Sequence, residues 1–143
     1  MVAPYDEPAI GAGDLIIRRI NPQYYVIFDN NRNCHRISSK AYSPSSGPDA
    51  GMSIDIEKLI VAAGHQPQQY VVDPVFTGAV VFPASAIRSL GLWIGYEPVH
   101  GNPYHGEVWG SAFARHNKFT KAQKDGLAAA AAWYVPLADV ALQ

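Results

Sequence analysis

The sequence predicts an α+β fold, a mainly antiparallel sheet with about three helices, the last of them alanine-rich and packed on the sheet. Three observations lead there. Short apolar stretches are joined by connections of hairpin length, LIIRRI to QYYVIF through Asn21-Pro22, and GLWIGYEP to HGEVWG through Gly101-Asn102-Pro103. Strands and helices do not alternate strictly, as a parallel β-α arrangement would require. Near the end, Thr120 followed by Gln123 forms a capping-box pattern ahead of KAQKDGLAAAAAW, rich in the strongest helix former.

In chain order, residues 1 to 13 mix proline, glycine, alanine and acids without periodicity, which predicts a flexible arm before a single domain over 14–143. DLIIRRI and QYYVIF read as a central hairpin. In its second strand Tyr24, Val26 and Phe28 share one face and Tyr25 and Ile27 the other, so both faces are expected to be buried. Asp29 to Asn33 is a turn by composition, and CHRIS a short strand with His35 and Ile37 opposed to Arg36 and Ser38. Pro44 and Pro48, among serines and glycines, then break regular structure. MSIDI alternates like a strand, and Ile56, Leu59, Ile60 and Ala63 have helical spacing up to Gly64, with Ser53 or Asp55 available as the cap. QPQQYVVDP reads as an edge strand bounded by prolines. TGAVVFP is another strand, followed by a short helix that stops at Gly91. The alanine-rich helix is expected to run until Pro136, weakened at Gly126 by roughly 1 kcal/mol relative to alanine.

A chain of 143 residues can bury the core of one domain. Its net charge of −1 gives no long-range attraction for nucleic acid or an anionic membrane, so neither is an expected partner. Cys34, the one cysteine, excludes an internal disulfide framework and a multi-cysteine zinc site, which fits a reducing, cytoplasmic setting. The N-terminus lacks a basic region before an apolar stretch, and no apolar run approaches the ~18 residues of a membrane span. Charged residues make up 16%, below the ~25% typical of soluble proteins, so part of the surface is neutral and polar or covered by a partner.

Candidate chemistry concentrates in two segments. In HGEVWG, His105 and Glu107 stand two places apart and so share one face of a strand. With His100 they make two imidazoles and a carboxylate, a ligand set known for zinc or iron, and a metal-dependent hydrolase is one alternative. A deaminase would pair H-x-E with P-C-x-x-C, which one cysteine cannot supply; no metal or other cofactor is expected. The second segment, HRISSKAYSPSSG, offers an arginine, a histidine and hydroxyls suited to an anion. If the two meet, Arg36, His105 and Glu107 become the catalytic candidates, with His35, Ser38, Ser39 and Asn102 binding the ligand. Nucleophilic catalysis has no support, because Ser38, Ser39, Ser45 and Ser46 lack a nucleophile elbow.

The order arginine, serine-rich stretch, later glutamate loosely resembles ADP-ribosyltransferases, whose Ser-Thr-Ser and Glu-x-Glu elements are absent; no residue is carried over from them. NPYHGEV together with HRISSKAYSPSSG resembles a group of small bacterial proteins, a likeness over about half the chain that implies a bacterial, cytosolic setting and no activity. With no catalytic motif, the expectation is a partner- or ligand-binding protein, a subunit of a larger system, contacting a protein partner or a second copy. The alternative is an enzyme on nucleotides or phosphorylated substrates, by phosphodiester or ADP-ribosyl chemistry.

Overall fold

The computed structural model describes residues 3–45, 50–110 and 118–143. Along the chain run β1 (Leu15–Ile20), α1 (Pro22–Tyr25), β2 (Val26–Asp29), β3 (Cys34–Ile37), a 3-10 turn (Ser39–Tyr42), β4 (Met52–Ile56), α2 (Glu57–Ala62) and α3 (Pro67–Tyr70). Then come β5 (Gly78–Pro83), α4 (Ala84–Arg88), β6 (Trp93–Tyr96), β7 (His105–Trp109), α5 (Lys121–Ala130), β8 (Ala132–Val135) and β9 (Val140–Ala141). Six strands form an antiparallel sheet in the order β6-β7-β4-β1-β5-β8, and three form a smaller one, β2-β3-β9. The fold is α+β, as expected, with five short helices rather than about three among the described residues.

Strand β1 is central because both its faces carry isoleucine. Ile16 and Ile20 join Ile54, Ile56, Val80 and Phe82 in the main core, and Ile17 packs with Ile60, Val71 and Ala79 on the opposite face. Helix α5 brings Leu127, fully buried, onto the main core. Its start is the expected capping box, with the Thr120 hydroxyl accepting from the Gln123 amide at 3.1 Å and the Gln123 side chain accepting from the Thr120 amide at 2.9 Å. Strand β7 comes close to its neighbours through Gly106, where a Cβ would stand 2.5 Å from the Gly95 carbonyl oxygen. That approach seats His105 and Glu107 firmly between β4 and β6.

Five local expectations are corrected. Asn21-Pro22 starts a helical turn instead of a hairpin turn: the Asn21 side chain accepts from the Gln23 amide at 3.0 Å and Pro22 sits at the first helical position. The chain is thereby turned away from β1, so β2 pairs with β3 in the small sheet and leaves Ile27 and Phe28 exposed rather than buried. Pro67 likewise opens the helical turn α3 in place of an edge strand. Neither Ser53 nor Asp55 caps α2, since both lie within β4. Finally, α5 stops at Ala130 and AWYV becomes β8, because the open edge of β5 offers backbone partners to Ala132, Trp133 and Val135.

Residues 5 to 10, read from sequence as part of an arm, run beside β6. The Tyr5 hydroxyl donates to the Tyr96 carbonyl and accepts from the Tyr96 amide, both at 2.9 Å, and the Glu7 amide donates to the Ile94 carbonyl at 2.8 Å. Arg88 holds the same segment through the Ile10 and Glu7 carbonyls. Among the described residues no helix is long and apolar enough to cross a membrane.

Candidate functional site

The large sheet has a gap. Strand β5 pairs with β1 along its whole length, whereas β4 faces β1 only at Ile16 with Ile56 and Ile17 with Asp55. Beyond Ile17 the two strands part, and a cleft of about 310 Å³ opens between them, at the small end of the range for ligand pockets. Its walls include Arg18 and Arg19 of β1, Ser53 and Asp55 of β4, Tyr25, Ser45, Phe76, Asn102 and His105.

Arg18 stands at its base, 4% exposed. It lies on the face of β1 between Ile16 and Ile20, so strand alternation drives a charge into the core. The guanidinium bridges the parted strands. Nε donates to the Ala41 carbonyl at 2.9 Å and Nη1 to the Ser53 carbonyl at 3.0 Å; Nη2 donates to the Tyr25 and Ser45 hydroxyls, each at 3.2 Å. The Tyr25 ring also covers it, 5.5 Å from the guanidinium carbon. All four acceptors are neutral. No carboxylate among the described residues lies within ion-pair distance of Arg18. Burial draws its pKa below the usual arginine value, while Tyr25 and the Glu107 carboxylate, acting through space, draw it back up. At neutral pH the group is still a cation.

Arg19, on the other face of β1, is neutralised. It grips Asp55 through Nε at 2.8 Å and Nη2 at 3.1 Å, a bidentate pair. Asp55 also accepts from the Asn102 side-chain amide at 2.7 Å, and Asn102 Oδ1 in turn accepts from the Tyr70 hydroxyl at 3.0 Å and the Tyr104 amide at 3.2 Å. This wall is a closed network in which every member has a partner, so it is rigid. His105 adds a directed group: its Nδ1 lies 2.8 Å from the Glu97 carbonyl, which can only accept, so Nδ1 carries the proton and Nε2 is left as the acceptor of the neutral ring.

Of the residues expected to form a site, Asn102 and His105 line the cleft. Glu107 is buried on β7 at the position facing Ser53, on the same side of the strand as His105. His35 and Arg36 belong to the small sheet and do not line the cleft. Arg36 pairs with Asp29 at 3.0 Å, and His35 stands edge-on to Phe28 with ring centres 5.2 Å apart. Ser38 is buried and accepts from the Lys40 amide at the start of the 3-10 turn, in which Ser39 is exposed. Ser46 and Pro48 of the serine-rich loop lie outside the described residues. His100 is exposed, and among the described residues no three His, Cys, Asp or Glu side chains are placed to hold a metal ion.

The cleft residues that sequence reading did not offer as ligand-binding are Arg18, Arg19, Ser53, Tyr25 and Phe76; Ser45 belongs to the serine-rich segment whose hydroxyls it did offer to an anion. One of them carried a signal: an arginine with isoleucine two places to either side sits on a core face and needs a reason to be there. Compared with known protein families, with curated proteins and with solved structures, the chain gives no match.

Proposed function

We propose that this protein binds a small anionic ligand, a nucleotide or other phosphorylated molecule, in the cleft between β1 and β4. Arg18 carries this reading. A buried guanidinium with only neutral acceptors among the described residues is a costly arrangement unless an anion completes it, and this one borders a cleft of ligand size. Its four hydrogen bonds engage four of five N–H groups, which leaves one on Nη1 for a ligand oxygen. The Ser45 hydroxyl, already facing Arg18, is a second group of the kind that holds phosphate.

The test is calorimetric titration of the protein with inorganic pyrophosphate and with ADP, in low and high salt. Saturable binding that weakens with salt is expected, and Arg18→Met should abolish it. Because that variant also removes core hydrogen bonds, Ser45→Ala supplies the gentler check, with a drop of several-fold expected. Absence of binding of either anion to the folded wild-type protein at millimolar concentration would defeat the proposal.

A second reading has one observation in its favour. Glu107 and His105 share a face of β7, opposite Ser53 and Asp55; His105 lines the cleft, and Glu107, buried behind the wall, acts on Arg18 through space. That is the set for group transfer at a nucleotide, in which Glu107 faces positive charge developing on a ribose, as ADP-ribosyl chemistry requires. Incubation with NAD, followed by chromatography for free nicotinamide, tests it: release by wild type and none by Glu107→Gln supports an enzyme, and no release leaves a binding protein.

A further inference from the structure

The cleft contains one residue that its polar network does not explain. Phe76 lines the wall, half-buried, yet belongs to neither hydrophobic core. No aromatic ring among the described residues stacks on it. Of the other rings in the cleft, Tyr25 is accounted for by its hydroxyl and face on Arg18, and the His105 imidazole by its Nδ1 on the Glu97 carbonyl. A phenyl ring left beside a polar cleft costs apolar exposure with no return from core packing.

Its backbone is nevertheless held in place. One Asp73 carboxylate oxygen accepts from the Val75 amide at 2.8 Å and the Phe76 amide at 2.7 Å, and the Asp73 amide donates to the Phe76 carbonyl at 3.0 Å. This tight side-chain turn fixes where the ring is presented. Those amide bonds, led by that of Phe76, hold the Asp73 carboxyl below its usual value, so at neutral pH the turn is closed by a full negative charge.

We infer that Phe76 is the stacking surface for a flat ring in the ligand whose anionic group sits at Arg18, so that the cleft takes nucleoside phosphates and discriminates against sugar phosphates and bare phosphate. This rests on the anion-binding reading above and adds the ligand class to it. Stacking suits the position because every nucleobase has a π-face and a single rigid ring can meet any of them, which predicts weak preference among bases.

The experiment compares AMP with ribose 5-phosphate, which differ only in the base, by titration calorimetry against wild type, Phe76→Ala and Phe76→Trp. Wild type should bind AMP about tenfold more tightly, the size expected of one stacked base. Phe76→Ala should reduce that preference to within about twofold while leaving ribose 5-phosphate affinity unchanged, and Phe76→Trp should keep or widen it. Equal affinities in wild type overturn the inference and leave the anion site standing. So does a Phe76→Ala variant that weakens both ligands alike, since that marks a structural role. If neither ligand binds the folded wild type, the anion site itself is wrong, and this inference falls with it.

Discussion

Arg18 and Arg36 occupy comparable positions, each in a short strand beside apolar neighbours, yet the two sheets treat them differently. In the small sheet Arg36 meets Asp29 across the hairpin at 3.0 Å, with its side chain 31% exposed, and its charge is settled locally. In the large sheet Arg18 is 4% exposed, spans a gap between strands, and touches two carbonyls and two hydroxyls. A paired, half-exposed guanidinium is part of the scaffold; a buried one surrounded by neutral acceptors at a cleft is the group on which the proposed anion site rests. The difference teaches that charge balance around an arginine says more about function than its presence in a basic stretch.

Arg18→Met should show the largest effect. It strips donors from the Ala41 and Ser53 carbonyls and the bridge from the parted strands, so chemical denaturation should report a loss of about 3 kcal/mol, the scale of buried hydrogen bonds to a charge. A loss below 1 kcal/mol would mean that water reaches those carbonyls and that the buried-cation contrast is misplaced. Arg36→Met should cost under about 1 kcal/mol, as exposed pairs do, and leave anion binding untouched. A variant at Arg36 that abolished binding would restore the site expected from sequence.

The smallest effect concerns acid. Asp73 titrates below its usual 3.8, so its folded form favours the charged carboxylate. Its contribution to the turn is complete above pH about 4 and is lost as pH falls through the lowered value. Protection of the Val75 and Phe76 amides, taken as their exchange relative to the intrinsic rate at each pH, should therefore fall at acid pH, and Asp73→Ala should show the same fall at neutral pH. Unchanged protection in either experiment would mean the turn is held by something other than this carboxylate.

Local pattern was enough for much of the fold. The isoleucines of β1, the alternation of MSIDI, the Thr120–Gln123 capping box and the glycine stops at Gly64 and Gly91, both at positive φ, were legible because each depends on residues within a few places of one another. Asn21-Pro22 and Pro67 were open to two readings, since proline starts a helix as readily as it bounds a strand. For AWYV the decision came from outside the segment, from the unpaired edge of β5.

By itself, then, the sequence determined that an α+β domain would form around an isoleucine-rich central strand, and that His105 and Glu107 would share a face, because strand periodicity is a local property. Only the tertiary structure decided which arginine stands with them. That choice depends on where β4 leaves β1, and on α1 turning β2, with Arg36 behind it, into a separate sheet. Strand partners are chosen by the competition of whole surfaces for burial and of backbone groups for hydrogen bonds, and no window of neighbouring residues contains that competition.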